Sequence, residues 1–298
     1  MTLKESLEEF NKELLFDYYI RIIPNHKSYT RTTKEQMKDE ILQEYKNYNN
    51  IIDICTTREL KYLNLLIENN NNLPYNFKYD WEINSLDEKL IIVYDDEQIY
   101  IPENLLNIVK QALDKVNWNT IKEKDKINEL AIGLFKVYAL LPTKKLIDIL
   151  FTKLKVPKEN IIEHLKTNKL FNYYVTMDSK YTKKDQILIY RNYSDIIEQL
   201  IKVKQERKIF NFSHIKATDY TSIFYNDFNL NNKIINKFYK ELIKLNHYEF
   251  LKDIIIVNTL LNEKREDLYY LIKIIYSSQL ENIDEFLELL DAALDEMP

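Results

Sequence analysis

The residues best able to do chemistry in this chain are four histidines, one cysteine and a short acidic run. His26, His164, His214 and His247 are scattered. None is followed by a second histidine at helical i+4 spacing, so neither a zinc pair nor an HExxH arrangement can form. Cys55 has no second cysteine for a disulfide or a cysteine-based zinc site. Its neighbours Ile51, Ile52 and Ile54 imply a buried, unreactive thiol. The carboxylates of Asp95, Asp96 and Glu97 are close enough in sequence to attract a metal, but they stand between two apolar runs and read as a solvated turn. A hydrolase or nuclease using Asp95 or Asp96 is the lesser alternative. The chain has one glycine, Gly133. Phosphate-cradling loops and strained nucleophile turns need glycine where backbone approaches a ligand or takes φ > 0. The expectation is a non-enzymatic protein with no catalytic residue, no metal site and no cofactor.

Binding chemistry is better represented. A polar basic stretch, Asn25–Lys34, lies between two helical patterns and offers Lys27, Arg31 and Lys34 to a phosphate backbone, with His26 and Tyr29 for stacking. Helix, extended basic turn and helix make residues 1–50 similar to SAP-like or Rho-N-like modules. Residues 144–208 hold fifteen Lys and Arg against eight Asp and Glu, net +7. Within them Lys158, Lys166 and Lys169 lie on or beside a helix, and Lys180, Lys183, Lys184 and Arg191 lie on or beside a strand-like hairpin that follows it. That is where a winged helix carries its recognition helix and its wing. Glu159 and Glu163 share the helix and blunt its charge.

These residues must be positioned by a chain whose apolar periodicity is mostly helical. Around Leu90–Leu113, however, two β-branched runs, Leu90–Tyr94 and Ile99–Ile101, flank a polar turn, and Pro102 opens a helix. With the apolar helix Glu59–Glu68 ahead of it, this is the order of a winged-helix unit. Residues 51–116 carry six bases and twelve acids, net −6, so this first unit is unsuited to phosphate. The order recurs later: a Gly133-containing helix over Ile127–Leu141, further helices at Lys145–Leu154 and Lys158–Lys169, strands over Phe171–Met177 and Gln186–Tyr190, and a helix at Ser194–Val203. At the start of the chain one helix is expected over Leu3–Phe16 and a short element over Asp17–Ile23. The last third reads as helices at Asn231–Leu245, Tyr248–Asn262, Lys264–Gln279 and Ile283–Leu294. Seven acids and no bases follow Gln279, a detachable acidic feature suited to docking on a basic patch.

The fold expected is mainly α with small β-hairpins, as tandem winged-helix-like units plus a helical C-terminal domain. Its divisions are 1–50, a first unit at 51–125, a second at 126–208, and the helical domain at 209–298. Gly133-Leu134-Phe135-Lys136-Val137-Tyr138, Asn172-Tyr173-Tyr174 and Ile189-Tyr190 resemble segments of uncharacterised low-GC Gram-positive proteins with winged-helix-like units. Many of those end in a zinc-binding SEC-C motif, whose cysteines this chain lacks, so the metal does not carry over. The resemblance covers about a third of the chain.

No apolar run approaches the ~18 residues of a membrane span, and the opening MTLKESLEEF is unlike a signal peptide. A cytoplasmic protein of a bacterium, phage or mobile element is expected. The first function expected is nucleic-acid-binding or transcription-associated regulation. The alternative is a protein–protein adaptor or inhibitor that grips a basic partner with its acidic surfaces.

Overall fold

Capping and periodicity set most of the helix boundaries. Thr2 forms a capping box with Glu5 and opens α1 (Leu3–Glu9). Asn11 accepts the Leu14 N–H and opens α2 (Lys12–Ile22), so the single helix expected over Leu3–Phe16 is two. A side-chain oxygen at Asn11 satisfies an orphan helix donor better than continuing the helix does. Thr33 boxes with Gln36 to start α3 (Lys34–Glu44), and Asn47 caps α4 (Tyr48–Ile54). Thr56 boxes with Glu59 to start α5 (Thr57–Glu68).

The computed structural model describes residues 2–23, 26–95, 98–177, 187–207, 216–261, 263–280 and 282–297. Among them the chain continues as β1 (Leu73–Pro74), α6 (Asp80–Glu88), β2 (Val93–Asp95), β3 (Gln98–Tyr100), α7 (Glu103–Lys115) and α8 (Trp118–Tyr138). It goes on through β4 (Leu140–Pro142), α9 (Thr143–Leu154), α10 (Lys158–Thr167), α11 (Lys169–Tyr174), β5 (Val175–Met177) and β6 (Ile187–Tyr190). It ends with α12 (Ile197–Arg207), α13 (Ala217–Asn226), α14 (Lys233–Leu242), α15 (Tyr248–Leu261), α16 (Arg265–Tyr276) and α17 (Ile283–Glu296). The protein is therefore mainly helical, with two small antiparallel sheets. In each sheet the last strand lies in the middle: β1-β3-β2 and β4-β6-β5.

Two expectations need correction here. Phe171–Tyr174 is helical, and only Val175–Met177 is strand. The aromatic run has strand propensity, but the buried Asn168 accepts the Phe171 N–H at 2.8 Å and nucleates a helical turn. The acidic segment after Gln279 is also no detachable tail. It is mostly α17, whose Phe286, Leu287, Leu290, Ala293 and Leu294 are buried. Its acids are partly neutralised within the chain: Arg265 pairs with Asp291 at 2.6 Å and Asp295 at 2.8 Å, and Lys273 with Asp284 at 3.4 Å.

The residues divide into two compact units, one of residues 1–128 with 159–174 and one of 129–158 with 175–298. The first is built around a fully buried ion pair, Lys89 with Glu59, both 0% exposed. Burial alone would drive the Lys89 ammonium to lose its proton, but the adjacent Glu59 carboxylate outweighs it and raises the lysine's pKa. The remaining groups are satisfied around it. Lys89 also donates to Ser85 Oγ at 3.2 Å, Thr56 N–H donates to the other Glu59 oxygen at 2.7 Å, and Tyr45 Oη donates to the Lys89 carbonyl. Tyr173 and Tyr174 place their rings within 5.8 Å of the ammonium.

In the second unit α8 and α13 approach closely along one seam. A Cβ on Gly133 would stand 2.2 Å from the Tyr220 carbonyl oxygen, which explains the lone glycine within a helix. Around that point Tyr225 Oη donates to Glu129, and Lys136 Nζ donates to the Phe224 carbonyl at 2.8 Å and to Asp227 at 2.5 Å. Lys252 takes the other Asp227 oxygen at 2.8 Å. Burial opposes ionisation of Asp227, but the two lysines together hold its carboxyl well below the usual range. Four further helices, α14 to α17, share one core that includes Phe238, Leu242, Leu251, Ile255, Ile272, Phe286 and Leu290.

One acid-sensitive group is built into the first unit. His164 pairs with Asn128 Oδ1 at 2.8 Å, and burial, with Lys124 nearby, lowers its pKa from 6.5 to about 4. The folded state resists protonation that the unfolded chain accepts. Stability is thus complete above pH ~6.5 and falls as pH drops towards 4, by about 2 kcal/mol after allowing for partial solvent screening. Urea titrations of wild type and His164→Gln across that interval are expected to show a steeper loss of stability with falling pH in the wild type.

Candidate functional site

The residues expected to contact nucleic acid can now be placed. Lys180, Lys183 and Lys184 lie outside the described residues. Of the other seven, Lys27, Arg31, Lys34, Lys166 and Lys169 belong to the first unit, and Lys158 and Arg191 to the second. Most are occupied. Lys27 pairs with Glu40 at 3.3 Å, and Lys34 donates to the Glu8 carbonyl at 2.7 Å. Lys169 is held by Glu44 at 2.5 Å and Asn50 at 2.8 Å, and Lys158 by Asp148 at 2.5 Å. Arg191 is half-buried and also has a partner. Arg31 and Lys166 remain exposed.

Residues 26–34 of the basic stretch are likewise tied to the neighbouring helices. His26 and Tyr29 set their rings edge-on to Phe16, Lys12 lies 4.4 Å from the centre of the Tyr29 ring, and Tyr19 Oη donates to Glu40 at 2.6 Å. The helix ahead of the first hairpin, α6, carries Asp80, Glu82, Asp87 and Glu88 and no base. On α10 the exposed charges are Lys158 and Lys166 against Glu159 and Glu163. These faces are balanced or acidic, which gives a polyanion little to hold.

A surface that the sequence did not single out is more distinctive. The four C-terminal helices alternate in direction. Asn232, capping α14, donates to Glu296 at the end of α17 at 2.8 Å. At the opposite end, Tyr276 Oη of α16 donates to the His247 carbonyl ahead of α15 at 3.2 Å, and Asn246 N–H to Gln279 at 2.8 Å. The Lys273–Asp284 pair brings the start of α17 to the same end. These bonds gather the end of α14, the start of α15, the end of α16 and the start of α17. There Ile243 is 43% exposed, Phe250 57%, Ile274 62% and Ile275 41%, with Tyr270 at 69% one turn back along α16. Exposed apolar residues spread singly over a surface need no explanation, but several large ones at one end of a bundle mark a candidate interaction surface.

Comparison with protein-family models, curated proteins and solved structures returned no match. The functional reading therefore stands on this chain's own geometry. Among the described residues, no group of three or more His, Cys, Asp or Glu is placed to hold a metal ion. Among them, too, no helix is long and apolar enough to cross a membrane.

The remaining candidates for chemistry are buried. Cys55 is 3% exposed, and burial, with Glu59 close by, pushes its thiol well above the ordinary range, the condition of an unreactive cysteine. The Lys89–Glu59 and Lys136–Asp227–Lys252 clusters spend their donors and acceptors on each other. Nothing in the sequence pattern identified the exposed cluster. On α16, Tyr270 and Ile274 are spaced like core residues, and only the buried positions Leu268, Ile272 and Tyr276 reveal which stripe faces inward.

Proposed function

We propose that the chain is a non-enzymatic binding scaffold that works as a protein–protein adaptor. The observation that carries this reading is the apolar cluster at one end of the α14–α17 bundle, formed by Ile243, Phe250, Ile274 and Ile275. Large apolar side chains left in water at one place lower the free energy of any association that covers them, by roughly 25 cal/mol per Å² of apolar surface. The acidic regions expected to grip a basic partner fit the same reading.

A second reading, nucleic-acid-binding regulation, is favoured by the sheets. In a winged-helix unit the wing is a hairpin whose second strand also pairs with a short strand from ahead of the helices, and both sheets have this order. The chain would then carry two winged-helix-like elements, with the net +7 of residues 144–208 and the exposed Arg31 and Lys166 as its phosphate-facing charge. The ion pairs already made by Lys27, Lys158 and Lys169 weigh against it.

Two double variants separate the readings. Phe250→Ser/Ile274→Ser is expected to abolish retention of a protein that the wild type retains from its native host's extract, while Arg31→Glu/Lys166→Glu leaves it intact. Retention of nucleic acid by the wild type, lost at moderate salt or in the Arg31/Lys166 variant, would replace the adaptor reading with the regulator reading.

A further inference from the structure

We infer that the apolar end of the α14–α17 bundle receives a basic amphipathic helix from a partner protein. This inference rests on the adaptor reading and names the chemistry of the partner. Its geometric basis is the convergence of four helix ends, fixed by the Tyr276–His247, Asn246–Gln279 and Lys273–Asp284 contacts. Phe250 and Ile275 lie there on α15 and α16, which pack together, and Ile274 and Tyr270 are exposed one turn apart on α16. An elongated apolar strip on a helical surface suits a helix laid across it, anchored by residues at i, i+3, i+4 and i+7.

Charge decides which helix. Residues 233–298, which span all four helices, contain thirteen Asp and Glu against eight Lys and Arg, net −5. Four of the eight bases are committed: Lys244 to Glu241, Lys252 to Asp227 and Glu249, Arg265 to Asp291 and Asp295, and Lys273 to Asp284, while Lys233, Lys237 and Lys240 stand exposed on α14. At the end of the bundle that carries the exposed apolar residues, Glu285 and Glu288 on the first turns of α17 are exposed, against the exposed Lys240 of α14. The apolar residues therefore have more acids than bases about them.

A second copy of this chain would bring the same net −5 of residues 233–298 to this place, so self-association across this face meets like-charge repulsion. A nucleic acid would be repelled more strongly. A helix with an apolar stripe and Lys or Arg on its flanks covers the cluster and meets Asp284, Glu285 and Glu288 with complementary charge.

The test uses the full-length chain and two synthetic helical peptides. Both carry leucine on one face, and the opposite face is lysine in one and glutamate in the other. Fluorescence anisotropy at low salt is expected to show saturable binding of the lysine peptide at least tenfold tighter than of the glutamate peptide. Phe250→Ser/Ile274→Ser and Glu285→Gln/Glu288→Gln should each weaken the lysine peptide about tenfold, and neither should shift the thermal midpoint, because all four side chains are exposed and an amide oxygen at position 285 still accepts from Asn282.

Equal binding of both peptides, lost in the Phe250/Ile274 variant, would leave the adaptor reading standing and overturn the basic partner. Lysine-peptide binding that survives Phe250→Ser/Ile274→Ser would overturn the site. A concentration-dependent dimer in analytical ultracentrifugation, abolished by that variant, would assign the face to a second copy instead. Binding of neither peptide, together with a gel shift by DNA or RNA, would remove both the inference and the reading beneath it.

Discussion

Gly133→Ala is expected to destabilise the second unit by about 2–3 kcal/mol, although alanine is the better helix former by about 1 kcal/mol. The new methyl would meet the Tyr220 carbonyl oxygen at 2.2 Å and its carbon at 2.9 Å. Both are backbone atoms, so no rotamer change relieves the clash and α8 must part from α13. Parting them also lengthens the Lys136 bonds to Phe224 and Asp227 and the Tyr225–Glu129 bond. Thermal unfolding should show the midpoint lowered by about 5–10 °C. Because the obstruction is main-chain, Tyr220→Ala should not rescue Gly133→Ala. A stabilised Gly133→Ala protein, or rescue by trimming Tyr220, would contradict the seam as described.

The second large effect concerns Glu59. Glu59→Gln keeps an amide oxygen to accept the Thr56 N–H, so the capping box survives, but it leaves the ammonium of Lys89 buried without a counter-charge. Breaking one partner of a buried pair costs about 3–5 kcal/mol. Removing the ammonium as well should cost much less, since no uncompensated charge remains and an amide at position 59 still accepts the Thr56 N–H. Urea midpoints of Glu59→Gln, Lys89→Met and Glu59→Gln/Lys89→Met measure the two situations. If the double variant is as unstable as the singles, the aromatic surroundings of Tyr173 and Tyr174 matter through packing and not through the charge they enclose.

These two sites also show what a one-dimensional reading can and cannot find. A glycine within an apolar helical run has few uses besides close approach, so Gly133 was interpretable before its partner was known. The partner was not, because Tyr220 lies 87 residues away. The first hairpin was legible because β-branched runs, a polar turn and Pro102 agree with one another. The spacing of Thr2 and Glu5 marks a capping box in the sequence itself, whereas the adjacent Thr32 and Thr33 are equivalent there, and only the structure singles out Thr33 with Gln36.

The break at Phe10–Asn11 and the turn of helix at Phe171–Tyr174 were not seen, though Asn11 and Asn168 supplied a cap signal in each case. In both, a short polar side chain outweighed a longer apolar pattern. The Lys89–Glu59 pair gave no signal at all, since a lysine among acids at a helix end ordinarily points to water. Among the residues expected at phosphate, Lys27, Lys158 and Lys166 are exposed, but charge counted along the chain takes no account of partners such as Glu40, Asp148 and Glu44.

The acidity of the nineteen residues after Gln279 is real as composition, but the segment is not a tail. Helical periodicity in Phe286, Leu287, Leu290, Ala293 and Leu294 already placed one face of it in a core. Its outward acids, together with the apolar residues at the same end of the bundle, make a surface that neither feature makes alone.

Site-specific photo-crosslinking in the living host tests this account most directly. A photoreactive phenylalanine analogue would be placed in turn at positions 250, 274, 31 and 166 of the full-length chain. The account predicts one discrete protein adduct from 250 and from 274 and none from 31 or 166. Nucleic-acid adducts from 31 and 166, with nothing captured at 250 and 274, would contradict it.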